Sequence, residues 1–122
     1  MKHSPAFLAL VDHAKSHTRQ MSIADYLQLR ESGAPHLLID TREESEWAAG
    51  HIAGAIYIGK GVIERDIESL APDRDCLLVL YCGGGFRSAL VAENLQRMGY
   101  TSPVSLDGGW REWNERGLPT EH

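Results

Sequence analysis

Apolar residues in this chain follow two rhythms that alternate from one end to the other. Short apolar stretches at residues 37–39, 55–58, 77–81 and 104–106 have the length and the aliphatic content of strands. Between them, apolar positions spaced three and four apart predict helices. The first twenty residues read as a helix and a connector. Ser4 is placed to cap, Pro5 suits the first helical position, and Phe7, Leu8, Val11 and Ala14 share a face. A second helix opens at the cap Ser22, with Met21 and Tyr26 placed as a hydrophobic staple, and stops at Gly33. Residues 43–49 read as a short helix with acids in its first turn, ended by Gly50. Ile63, Ile67 and Leu70 mark another, closed by Pro72. Residues 88–98 form the next, stopping at Gly99, and residues 110–116 the last, ended by Gly117.

Strands alternating with helices, and strands that are apolar almost throughout, imply an α/β fold. The expected sheet is mostly parallel with helices on both faces. At 122 residues the chain is large enough for one domain with a real core. In such sheets ligands bind beyond the carboxyl ends of the strands, and Cys82 stands at one of those ends.

Composition narrows the picture. Acids outnumber Lys and Arg by 17 to 12, and the basic residues are scattered, which argues against a nucleic-acid partner. No apolar stretch is long enough to span a bilayer, so no membrane partner is expected. The short stretch 6–11 lacks a cleavage site and is not read as a signal peptide. Cys76 and Cys82 bracket an extended segment and stand roughly 20 Å apart. A disulfide needs about 7 Å or less between Cα atoms. Free thiols without a leader point to the cytoplasm.

The chemistry concentrates in Cys82, Gly83, Gly84, Gly85, Phe86, Arg87 and Ser88. A cysteine at a strand tip, a glycine loop and a helix N-terminus together make a thiolate site and an anion site. Glycines let backbone N–H groups converge, and the start of a helix favours negative charge. The thiolate is the nucleophile, and an accessible one is open to oxidation. Arg87 is a cation where the helix dipole disfavours one, which suggests a purpose beyond solvation. No Cys or His spacing makes a zinc site, and no cofactor is expected. His13 and His17 stand at i, i+4, but with no third ligand in view they read as a solvated helix face. Cys76 reads as a small buried hydrophobe.

Three stretches resemble the rhodanese-like domain family in order and spacing: residues 38–43 with Glu46, Trp47 and 50–55; residues 79–88; and residues 106–110 with Trp113. The likeness covers roughly residues 19–119, leaving 1–18 as an N-terminal helical extension to a domain at 19–122. It implies a five-stranded parallel sheet and a sulfurtransferase. Cys82 would carry a sulfane sulfur as a persulfide, taken from a small anionic donor such as thiosulfate. A thiol, a protein or cyanide would accept it. The amides of residues 83–88 would cradle the sulfur and the donor, and Arg87 would close the loop. Asp40 and Arg42 match the first signature. They read first as a cap and a salt bridge near the loop, with direct substrate contact by Arg42 as the other possibility. Phe86 would line the mouth, and Trp110 and Trp113 would pack the core. His51 is not read as a base, since transfer between thiolates needs none.

Two rival functions follow from the same loop. A Cys-based phosphatase or arsenate reductase also uses a cysteine, an amide cradle and an arginine, but with five residues between Cys and Arg. Here there are four, a cradle sized for one added sulfur atom. A binding module or persulfide relay serving a protein partner would keep the same chemistry and change only the acceptor.

Overall fold

The computed structural model describes residues 3–122; Met1 and Lys2, in the extension expected over 1–18, lie outside them. In chain order the elements are α1 (Pro5–Ser16), β1 (Arg19–Met21), α2 (Ile23–Ser32), β2 (Leu37–Asp40), α3 (Glu44–Ala49), β3 (His51–Ile52) and β4 (Ile56–Tyr57). They continue with α4 (Ile63–Leu70), β5 (Leu78–Tyr81), α5 (Phe86–Arg97), β6 (Pro103–Leu106), α6 (Gly109–Glu115) and β7 (Thr120–Glu121). Five strands form one parallel sheet in the order β1-β6-β5-β2-β4, and β3 and β7 pair antiparallel beside it.

The pleat sends alternate residues to opposite faces, and this sorts the core into two halves. Ile39, Leu78 and Leu80 pack with α4 and α5 through Ile63, Ile67, Val91 and Leu95. Leu38, Val79 and Tyr81 pack with α2 and α6 through Ile23, Tyr26 and Trp113. Helix α1 forms a further layer outside α5, where Val11 and Ala14 meet Ala89 and Leu90. The expected caps are present: Ser4 Oγ accepts from Phe7 N at 3.1 Å and Ser22 Oγ from Asp25 N at 3.0 Å. Gly33 takes the left-handed conformation at the end of α2.

Several details differ from the sequence pattern. Leu8 and Leu10 of α1 are 36% and 53% exposed, because α1 packs chiefly on α5 and buries a narrow stripe there. Leu70 is likewise exposed at the end of α4. The connector before α2 is an edge strand, β1, paired with β6 through Arg19, Gln20 and Met21. Helix α5 begins at Phe86, two residues earlier than the pattern predicts. Gly85, at φ +96°, turns the chain sharply enough to start it there. Among the described residues no helix is long and apolar enough to cross a membrane.

Candidate active site

Strand β5 and the N-termini of α5 and α6 build the site. Cys82 follows the last residue of β5, and its Sγ sits under the loop 83–85. The Gly85 amide donates to Sγ at 3.2 Å and the Ser88 amide at 3.4 Å. Ser88 Oγ is 3.5 Å from the sulfur and 2.7 Å from Ser105 Oγ on β6. Of the amides from Gly83 to Ser88, those of Gly85 and Ser88 reach the sulfur. Two amide donors and the N-terminus of a twelve-residue helix thus converge on the sulfur. The accessible sulfur expected from the sequence is instead enclosed: Cys82 is only 1% exposed, because the loop backbone folds over it.

Helix α6 anchors the loop. Trp110 N donates to the Cys82 carbonyl at 2.8 Å and Arg111 N to the Gly83 carbonyl at 3.0 Å. With these carbonyls engaged by α6, the Gly85 amide faces the sulfur. Gly109 makes this approach possible. Its φ is +52°, and a Cβ there would run into the Cys82 carbonyl oxygen and lie 2.9 Å from that of Gly83.

Arg87 crosses to α3. Its Nη1 and Nη2 donate to the two Glu46 carboxylate oxygens at 2.9 and 3.3 Å, a bidentate pair. Its Nη2 also lies 3.3 Å from where a Gly83 side chain would begin, beside the loop. The bond from Arg87 holds the Glu46 carboxyl below the usual carboxylate range. Glu46 raises the Arg87 guanidinium in turn, with the Cys82 side chain adding to the effect. Glu46 also accepts from Glu43 N at 3.1 Å as half of the capping box of α3.

Arg42 is 3% exposed. Its Nε and Nη2 donate to Asp40 at 3.0 and 2.7 Å, its Nη2 donates to the Gly50 carbonyl at 2.7 Å, and its guanidinium lies 4.9 Å from the Trp110 ring. Asp40 ends β2, directly beside Tyr81 of β5. The structure thus brings Cys82, Gly85, Arg87 and Ser88 together. It gives the donors of Arg42 to buried protein groups. Phe86 turns its ring into α1, 6.3 Å from Phe7 and 5.1 Å below Lys15 Nζ. His51 stacks on Trp47 at 3.4 Å and bonds the Trp47 carbonyl. Trp113 is fully buried, while Trp110 lies over Gly50.

Four contributors escape the sequence reading: Glu46 as the partner of Arg87, Ser105 behind Ser88, Gly109 under the loop, and Arg111. The Arg111 guanidinium lies 3.5 Å from where a Gly84 side chain would begin. Arg111 is exposed, so a second cation stands at the loop. A pair of glycines directly before a helix start was the available signal for Gly109.

A sequence model of the rhodanese-like domain matches residues 22–116. The chain is 38% identical over 90 residues to the probable adenylyltransferase/sulfurtransferase MoeZ of Mycobacterium tuberculosis, covering 73% of this chain and 23% of that protein. The chain therefore spans about a quarter of that relative's length. It is 33% identical over 98 residues to the thiosulfate sulfurtransferase GlpE of Pseudomonas entomophila, covering 80% of this chain and 86% of that one. Among solved structures, a Rhodopseudomonas palustris protein of unknown function, described as a possible tyrosine phosphatase, superposes with a TM-score of 0.87 at 30% identity. That match covers 99% of this chain and 98% of the other, α1 included. With its parallel sheet, its cysteine loop at the tip of β5 and a family match over most of its length, the chain belongs to the rhodanese-like domain family.

Proposed function

We propose that this protein is a sulfurtransferase that carries sulfane sulfur as a persulfide on Cys82. The observation that supports it best is the Cys82 sulfur held by the Gly85 and Ser88 amides, with Arg87 and Arg111 beside the loop. With thiosulfate as donor, the Cys82 thiolate attacks the outer sulfur. The sulfur–sulfur bond of the donor breaks and sulfite leaves with the electron pair. The new terminal sulfur carries the negative charge, and loop amides and the two guanidinium groups stabilise it. An acceptor thiolate or cyanide then attacks that sulfur, and Cys82 leaves as a thiolate. Arg87 and Arg111 beside the loop favour a small anionic donor. Asp40 and Arg42 brace the tip of β2 in this reading, and Phe86 joins the loop to α1.

The four-residue spacing from Cys82 to Arg87 counts against a phosphatase. A protein acceptor, making this domain a persulfide relay, uses the same steps. The test is intact mass spectrometry after incubation with thiosulfate. The native chain should gain one sulfur atom, lose it to cyanide, and gain none as Cys82→Ser. Failure to gain sulfur from either thiosulfate or a persulfide donor, together with hydrolysis of an aryl phosphate, would replace this reading with the phosphatase one.

A further inference from the structure

Three side chains of metal-ligand type meet where α1 packs on α5. His13 and His17 stand one turn apart on α1 and so share a face. On α5, Glu93 lies seven residues past Phe86, about 10 Å along the helix. His17 Nε2 is 2.6 Å and His13 Nε2 is 4.0 Å from Glu93 Oε2. The two rings stand edge to face at 4.9 Å, and the three ligand atoms lie within 4.8 Å of one another.

Glu93 is what makes this more than a pair of surface histidines. Its side chain is only 10% exposed, yet Oε2 accepts no hydrogen bond, even with His17 Nε2 so close. A buried carboxylate oxygen without a donor is costly. On the far side of His17, Ser16 Oγ donates to the His13 carbonyl at 2.6 Å and lies 3.4 Å from His17 Nδ1. A hydroxyl whose proton is spent offers Nδ1 only a lone pair. A proton on Nδ1 suits that lone pair, and Nε2 is then the ring atom that meets the carboxylate oxygen. Two such atoms this close need a cation between them, either a proton on Nε2 or a metal ion.

We propose that His13, His17 and Glu93 bind a divalent transition ion, zinc first, with a fourth position open to water. Two imidazole nitrogens and one carboxylate oxygen are a borderline donor set that suits zinc and not magnesium or calcium. Zinc bonds of about 2.0–2.1 Å in a tetrahedron place ligand atoms about 3.3 Å apart. The separations of 2.6 and 4.0 Å bracket that value. The His13 and His17 side chains are 71% and 44% exposed, so both rings have room to turn. The bound ion ties α1, which lies outside the family match, to the helix whose first turn carries Arg87 and Ser88. It takes no part in sulfur transfer, so this site and the sulfurtransferase reading stand or fall separately.

The test titrates the full, metal-free chain with Co(II) and then Zn(II). One Co(II) per chain should bind and give tetrahedral d–d bands without the thiolate-to-cobalt charge-transfer band that Cys76 or Cys82 would produce. Zn(II) should raise the melting temperature in proportion to the logarithm of its concentration above Kd, and Mg(II) should not. His13→Ala changes an exposed side chain and Glu93→Gln keeps the buried shape, so both variants should fold. Each should weaken binding about a hundredfold, the upper end of what loss of even an indirect partner costs. No binding at millimolar ion, equal binding by both variants, or a thiolate band in the cobalt spectrum would overturn the proposal and leave a His17–Glu93 ion pair.

Discussion

A cysteine flanks each end of β5, and the two ends offer opposite surroundings. Before the strand, Cys76 is half-buried near Asp73 and Asp75. Burial pushes its thiol up, and the two carboxylates push it further. After the strand, Cys82 meets the Gly85 and Ser88 amides at the start of α5, with Arg87 beside it. The same residue type thus meets burial and carboxylates before the strand, and amide donors with a guanidinium after it, where the proposed function places the nucleophile. The direction of the sheet makes the difference. All five strands of the main sheet run parallel, so α5 and α6 both begin at the edge where Cys82 stands. Helix N-termini, with their unpaired donors and partial positive charge, collect there.

The comparison breaks most visibly by substitution at the two ends. Cys82→Ser should lower thiosulfate-to-cyanide transfer by about a thousandfold or more, as removal of a covalent carrier does. Cys76→Ser should leave it within about twofold. Comparable losses in both variants would mean that position along β5 does not decide reactivity.

A second substitution disturbs the Cys82 end without touching the sulfur. Gly109→Ala places a Cβ against the Cys82 and Gly83 carbonyls, in a positive-φ conformation. The two hydrogen bonds from α6 to the loop should be lost, at a cost of about 2–4 kcal/mol in urea unfolding. Transfer should fall with them. Gly117→Ala serves as control: it shares a positive φ but meets nothing within 4 Å, so only the backbone strain applies.

The smallest expected effect sharpens the role of Arg87. Glu46→Gln weakens the bidentate pair between α3 and α5, and Arg87→Ala removes it. Both groups are about a third exposed, so the pair contributes only about 0–1 kcal/mol to stability. Transfer should nevertheless fall about tenfold in Arg87→Ala, because the cation beside the sulfur goes too. The pair also carries a pH dependence. The Glu46 carboxyl lies below its ordinary value when folded, so its contribution is fully present above the ordinary glutamate range. It is lost as pH falls below that range through the lowered folded value. The stability difference between the native chain and Glu46→Gln should therefore shrink toward zero on acidification. A difference that grows instead would reverse the assigned sign.

Much of the site was legible because its signals are local. Cys82, the three glycines after it and the helix that follows are contiguous, and a contiguous loop between strand and helix carries its geometry with it. The caps Ser4 and Ser22 and the stop at Gly33 act within four residues of themselves. What stayed hidden depends on partners far away in the chain. Arg19 and Gln20 carry no apolar pattern, and only pairing with β6 makes them a strand. Nothing near Arg87 names Glu46 as its partner, and nothing near His17 points to Glu93.

The sequence by itself determined the alternation of strand and helix, the cysteine loop and its family, since periodicity, turn chemistry and motif spacing act over a few residues. Only the tertiary structure decided which groups meet. It buried Arg42 against Asp40 and Gly50, seated α6 on the loop carbonyls through Gly109, enclosed the Cys82 sulfur, and brought Glu93 to the two histidines of α1. Each of these contacts is fixed by how sheet and helices pack, and packing is a property of the whole chain rather than of any segment.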